Sequence, residues 1–388
     1  MSALTLPLTK AIPVARPFIG ELEERAVAEA LRSGWVTQGP RVAAFEEKFA
    51  SYVGCDHAVA VSSCTTGLHL AMVVNGISTG DEVICPSLSF IATANSIAYT
   101  GATPVFCDVD PVTFNLAPER IEELITPRTK AILVVHQIGC PADLEPIAEI
   151  AARRNLILLE DAACAIGSEY QNRRIGLPVG QMAIFSFHPR KIVTTCEGGM
   201  ITTQDPELAA RLRKLRQHAM SVSDVVRHSA TQVTAEGYDE IGYNYRMTDL
   251  HAAVGLCQLD RLPDFLLQRR ALAARYDAAL SHLDWLQTPV IPHDRRSNYQ
   301  SYMVRVLRGG AAVRDGVMQQ LLEKGISTRR AIMAIHREPP YRDARWDNGL
   351  LNTELVTDSG MILPLFHDMT EAEQDYTIEA LQEIQPRD

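Results

Sequence analysis

The sequence predicts an α/β protein. A large unit carries a mostly parallel, seven-stranded sheet between helices, and a smaller α/β unit follows at the C-terminus. Three observations lead there. Between residues 56 and 204, short apolar runs alternate with helical segments, the order that builds a mostly parallel sheet. The runs are rich in Val and Ile and mostly apolar on both faces, as strands covered by helices on two sides should be. A second α/β pattern begins near residue 300, after a long helical stretch.

The strands read, in order, as HAVAVSS from His57, EVICPS from Glu82, TPVFCDVD from Thr103 and AILVVHQ from Ala131. LILLED from Leu156, MAIFSFH from Met182 and GGMITTQ from Gly198 complete the seven. Helical patterns lie between most of them, over 66–75, 92–99, 118–125 and 143–153. After Pro206 the pattern changes. Residues 206–219 predict a helix with a basic face, 221–245 are polar and irregular, and 248–259 is helical again. Residues 263–280 predict a long helix leaving the first unit. SYMVRVL from Ser301 then reads as a strand, 313–324 as a helix and ILPLF from Ile362 as a strand. A closing helix starts near Thr370, where Thr370 and Glu373 have capping-box spacing. The expected division is 36–260 for the large unit and 261–388 for the small one, joined by residues 1–35.

Composition narrows the function. The 388 residues allow about two to four domains. The net charge of −10 carries no basic footprint, which argues against generic nucleic-acid binding. No apolar stretch approaches the ~18 residues of a membrane span. Residues 1–16 lack a continuous apolar region, so no signal peptide and a cytoplasmic location are expected. The eight cysteines include no C-x-x-C pair, and several sit inside apolar strands. They read as reduced, buried thiols rather than a zinc site or a disulfide framework; no metal is expected.

Lysine is scarce. Only six of the 37 basic residues are lysines, and five of the six sit in tails, charge-rich helices or the entry of a strand. Lys191 instead follows the strand MAIFSFH, at the C-terminal edge where open α/β sheets bind ligands. As ordinary structure it would be a surface loop lysine. Asp161 ends another strand, LILLED, after apolar residues that would make an unpaired carboxylate costly. Its ordinary role would be a helix N-cap. A lysine and a carboxylate at one sheet edge suit pyridoxal 5'-phosphate: the lysine forms a Schiff base, and the carboxylate keeps the ring nitrogen protonated. Such a cofactor needs a phosphate site. Ser63, Cys64, Thr65 and Thr66, between a strand and a helix, offer hydroxyls and N–H groups at a helix N-terminus, although simple capping by Ser63 would use the same residues.

The chain resembles the sugar aminotransferases of the DegT/DnrJ/EryC1/StrS family, which have the aspartate-aminotransferase (type I) fold. The motifs run from SGWVTQGP at Ser33 through GDEVICPSLSFIATAN, GATPVFCDVD, PADLEPI, EDAACAIG and FSFHPRKIVTTCEGG. GYNYRMTDLHAAVG and EAEQDY near Tyr376 complete them. FSFHPRK…EGG is the most specific. The resemblance implies that Lys191 is the Schiff-base lysine and proton shuttle and that Asp161 pairs with the pyridine nitrogen. Phe90 would stack on the ring. Ser63, Thr65, Ser186 and the backbone around Cys64 would hold the phosphate. Asn244 would reach the phosphate of a neighbouring subunit, in a homodimer whose active sites lie at the interface. Trp35, Thr37 and His336 would lie on the sugar side.

Three departures from the family pattern stand out. Cys64 replaces a usual glycine and would be strained only if its φ were positive. Cys164 stands where Gln or His approaches the cofactor, so that contact would be weakened or lost. Ile192 and Cys196 replace Asn and Gly. Deoxygenating relatives carry histidine in place of the lysine, so Lys191 argues for transamination. The activity implied is amino transfer from an amino acid, L-glutamate, to a keto group of a nucleotide-linked deoxysugar. A keto-cyclitol acceptor and a non-catalytic cofactor- or sugar-binding regulator are the alternatives.

Overall fold

Seven strands form the large sheet: β1 (His57–Val61), β2 (Glu82–Pro86), β3 (Thr103–Cys107), β4 (Thr129–Val135), β5 (Ile157–Asp161), β8 (Met182–Ser186) and β9 (Gly199–Thr203). The structure is a computed structural model that describes residues 11–222, 235–343 and 349–386. The sheet order is β1-β9-β8-β5-β4-β2-β3. Every pairing that excludes β9 is parallel, and β9 runs antiparallel to both its neighbours. Alternate residues of β4 enter two different cores. Ile132 and Val134 join one, and Ala131 and Leu133 join the other. This is the strand period of two expressed on a sheet buried on both faces. On the first face, Phe45, Phe49, Phe185 and Phe187 meet with ring centroids 5.0–6.2 Å apart.

The smaller sheet has the order β10-β12-β14-β13 and is antiparallel throughout. Its strands are β10 (Leu286–Gln287), β12 (Tyr302–Val306), β13 (Arg329–Arg330) and β14 (Gly360–Leu363). Helices Gly310–Glu323, Leu351–Ser359 and Glu371–Glu383 accompany it. The Thr370 capping box forms: Glu373 N–H donates to Thr370 Oγ1 at 3.2 Å, and Thr370 N–H to Glu373 Oε2 at 2.8 Å. A third sheet of two-residue strands, β11 (Arg295–Arg296), β6 (Glu169–Tyr170) and β7 (Arg173–Arg174), has no counterpart in the sequence expectations.

Four local expectations change. The helix over 118–125 is two 3₁₀ turns, Pro118–Arg120 and Glu122–Leu124; no side chain caps either start, and short uncapped segments tighten to i→i+3 bonds. The helix from Pro206 stops at Leu215, because His218 and Ala219 turn to φ 64° and 58°. The two helices expected over 248–259 and 263–280 are one, Asp249–Leu280, with Pro263 inside. Pro263 forfeits one backbone bond, but Leu259, Leu262, Phe265 and Leu266 are buried on both sides of it, and that packing carries the helix through. The boundary expected at 260/261 therefore falls within a continuous helix. Its first half joins the core under the large sheet, and Ala273, Tyr276 and Leu280 join the core of the small one. Of the irregular stretch 221–245, residues 223–234 lie outside the described residues, as do the first ten of the N-terminal segment.

The rest of that N-terminal segment divides its contacts. Ile12 bridges Ile326, Val14 O accepts from Leu365 N, and Arg16 pairs with Asp368 at 2.8 Å. The helix Glu21–Arg32 lies on the long helix, where Glu23 accepts from Gln258 Nε2 at 3.0 Å. No helix among the described residues is long and apolar enough to cross a membrane.

Candidate active site

The C-terminal ends of the parallel strands open on a cavity of about 430 Å³. Asp161, Lys191, Ser63, Cys64, Thr65, Phe90, Cys164 and Ser186 all line it. Residues as far apart in sequence as Ser63 and Leu365 meet here only through the fold. The cavity's remaining wall comes from the small unit, through Gln300, Arg329 and Met333 among others.

One end is the start of the helix Cys64–Val74. Ser63 is its N-cap: Ser63 Oγ accepts from Thr66 N–H at 3.2 Å, and Thr66 Oγ1 accepts from Ser63 N–H at 3.1 Å. The capping that would have explained these residues structurally is therefore real. It still leaves the N–H groups of Cys64 and Thr65 without intrahelical partners, and these groups form the positive end of the helix dipole. Cys64 has no positive φ, so its replacement of glycine carries no strain. The turn lies tightly against β9: a Cβ on Gly199 would sit 2.7 Å from Cys64 N.

Asp161 is 5% exposed. It caps no helix, since residues 162–168 are turns and irregular backbone. Oδ1 accepts from Ala163 N–H and Oδ2 from Thr93 Oγ1, each at 3.1 Å. Thr93 is in turn 2.8 Å from Ser89 Oγ. Burial pushes the Asp161 carboxyl above its ordinary range; the Ala163 N–H, the Lys191 charge and Thr93 oppose this without cancelling it.

Lys191 sits on the loop 187–198 between β8 and β9. Phe187 N–H donates to Gly198 O at 2.9 Å and Thr195 N–H to Phe187 O at 3.0 Å. The small unit grips the loop on both sides of the lysine. Gln300 Nε2 donates to Arg190 O at 3.0 Å, and His367 Nε2 to Ile192 O at 3.1 Å. His367 is stacked on Phe265 at 4.0 Å, and its buried Nδ1 has no partner among the described residues. Burial, with the Arg269 charge beside it, pushes its imidazole down to about 3, so it is neutral. Lys191 Nζ lies 3.1 Å from Cys164 Sγ. Burial disfavours the ammonium, yet Cys164, Cys64 and Asp161 together outweigh it and the amine is held above its ordinary range. Cys196, in the position usually held by glycine, has φ 70°, a conformation costing about 1–2 kcal/mol outside glycine; Thr194 Oγ1 accepts its N–H at 3.0 Å.

Phe90 is 65% exposed at the cavity. The other expected residues are not brought into the lining. Thr37 is exposed, and its carbonyl accepts from Asp249 N at 2.8 Å. Trp35 is half-buried beside Gly39. His336 is buried, with Nδ1 2.8 Å from Ser87 Oγ and Nε2 3.3 Å from Glu354. Asn244 is exposed on a segment paired with Gln217. Sequence reasoning missed Thr93, Gln300, Arg329 and His367. Thr93 lies within a quoted motif, but nothing in the motif reveals its pairing with a carboxylate 68 residues away.

These residues fit pyridoxal phosphate. Among the described residues the buried Asp161 carboxylate has no ion-pair partner of the kind a protonated ring nitrogen would supply, an amine shares its cavity, and the first helix N–H groups have no acceptor, as a phosphate site requires. Fold and cavity together place the chain in a class, the pyridoxal phosphate-dependent transferases of fold type I. Within that class the chain belongs to the DegT/DnrJ/EryC1/StrS aminotransferase family, whose model matches residues 17–382.

Solved structures agree. An aminotransferase, TlmJ from Streptoalloteichus hindustanus, is 39% identical over 95% of this chain and 97% of its own, with a TM-score of 0.86. DesI, solved in the presence of its TDP-sugar product, is 31% identical over 96% and 92%, with a TM-score of 0.86. The sugar aminotransferase Spr1654 from Streptococcus pneumoniae, described as putative and solved in its PLP form, is 27% identical over 96% and 97%, with a TM-score of 0.89. The protein is an aminotransferase, and pyridoxal phosphate is its cofactor.

Proposed function

We propose that this aminotransferase moves an amino group from L-glutamate to a keto carbon of a nucleotide-linked deoxysugar, working as a cytoplasmic homodimer. The observation that carries the chemistry is the placement of Lys191 Nζ and the buried Asp161 carboxylate in one cavity. Pyridoxal phosphate, when bound, supplies an aldehyde that carries the amino group between substrates and a ring that accepts electrons. Lys191 Nζ holds that group and moves a proton between the reacting carbons. Asp161 pairs with the ring nitrogen, and Thr93 and Ala163 N–H keep its oxygens oriented. Phe90 covers a ring face. Ser63, Thr65, Ser186 and the first N–H groups of the helix take the phosphate, and Asn244 of a second subunit completes that end. Cys164 stays within reach of the lysine amine. Trp35, Thr37 and His336 lie outside the lining of the single chain and are assigned to the acceptor side.

The nucleotide-linked acceptor draws support from the similarity to DesI, whose structure was solved with a TDP-sugar. The test is direct. Holoenzyme, L-glutamate and a panel of nucleotide-linked keto-deoxysugars and keto-cyclitols are incubated together, and 2-oxoglutarate and aminated product are measured by mass spectrometry. Amination of a nucleotide-linked sugar is the expected result. Amination of a free keto-cyclitol alone would replace the acceptor assignment.

A further inference from the structure

Two arginines reach the cavity from opposite parts of the chain. Arg190 comes from the Lys191 loop, and Arg329 from β13 of the small sheet. Among the described residues neither guanidinium has a hydrogen bond or ion pair, whereas the adjacent Arg330 is held by Asp315 at 2.5 Å. The two are close enough to act on each other: burial lowers the affinity of Arg329 for its proton, and the Arg190 charge lowers it further. Among the described residues, the acids in the lining are Asp161 and Glu197. Asp161 is engaged by Ala163 and Thr93, and Glu197 pairs with neither arginine. Two like charges thus stand at one cavity in a chain whose net charge is −10.

We infer that Arg190 and Arg329 form an oxyanion-binding pair that takes the anionic group of a substrate, either a carboxylate of the amino donor or a phosphate of the sugar acceptor. Guanidinium forks match both planar carboxylates and phosphates. The cofactor's own phosphate has the helix N-terminus at Ser63–Thr66, which leaves the arginines for a second anion. The inference rests on the amino transfer proposed above and names the recognition element of that same site.

The experiment compares wild-type holoenzyme with Arg190→Gln, Arg329→Gln and the double variant. Both side chains belong to exposed residues, and unchanged melting temperatures would verify intact folds. Glutarate, a dicarboxylate that cannot donate an amino group, and a nucleoside diphosphate are titrated separately by calorimetry. KM for donor and acceptor is measured in parallel. Loss of charge-assisted bonds should weaken one ligand about 10- to 100-fold, with the matching KM raised. A selective loss of glutarate assigns the pair to the donor, and a selective loss of the diphosphate assigns it to the acceptor. Affinities and KM values all within twofold of wild type would overturn the inference. Failure of the wild type to aminate any nucleotide-linked sugar would instead remove the functional reading; glutarate or diphosphate binding that depends on the arginines would still uphold the pair.

Discussion

Asp161 is a carboxylate largely withdrawn from water, and this has opposite consequences with and without cofactor. Its folded-state affinity for a proton is raised above the ordinary value of 3.8, chiefly by burial. The folded chain therefore holds this proton more tightly than the unfolded chain, and stability falls as pH rises from 3.8 through the folded value. At neutral pH the cofactor-free Asp161→Asn protein should melt at a higher temperature than cofactor-free wild type, with the gap vanishing at pH 3. The same variant should bind cofactor yet slow amino transfer severely, because an amide cannot balance a protonated ring. A destabilised apo variant, or near-normal turnover, would contradict the assignment. Lys191→Arg keeps the charge but not the amine; turnover should be lost, along with borohydride fixation of a yellow chromophore to residue 191. That both residues stand at one edge of the sheet was legible in the sequence, one by the scarcity of lysine and the other by an acid closing an apolar run. Thr93 and His367 were not, since their roles exist only through contacts made across the fold.

At the scale of elements, strands were read to within a few residues because burial on both faces writes itself as continuous apolar sequence. Direction writes nothing, and so the reversal of β9 was invisible. Pro263 misled in the other direction, signalling a break that tertiary packing overrides. Its cost should still be present: Pro263→Ala restores a donor to the helix interior and should raise stability by about 1–3 kcal/mol, read as a higher melting temperature of the holoenzyme. Gly199 allows β9 to approach the helix start. Gly199→Ala would force a methyl to within 2.7 Å of Cys64 N, moving the phosphate end. Cofactor affinity should fall at least tenfold, measured by equilibrium dialysis, while the secondary-structure content by circular dichroism stays unchanged.

At the scale of the molecule, two cores are joined by one helix, and the sequence pattern alone suggested a division where the helix is continuous. The assembly can be tested by complementation. Lys191→Ala and Asn244→Asp are each expected to be inactive. If Asn244 serves a partner's site, a mixed dimer gathers both defects in one site and frees the other, so activity should return. Verified mixed dimers with no recovery would remove Asn244 from the neighbour's site.

The reversed strand also has a polymer-physics consequence. Because β9 starts at the edge where β8 ends, the chain between them is a ring pinned at its neck by the pairing of Ser186 with Gly199. The entropy of tying such a ring grows only logarithmically with its contour; doubling the contour costs about 0.6 kcal/mol. Global stability should therefore be nearly blind to inserted residues in 187–198. The amine of Lys191 is not blind to them, since every added bond enlarges the volume it samples around a fixed cofactor position. Ring length is thus set by the placement of one nitrogen atom rather than by the durability of the fold.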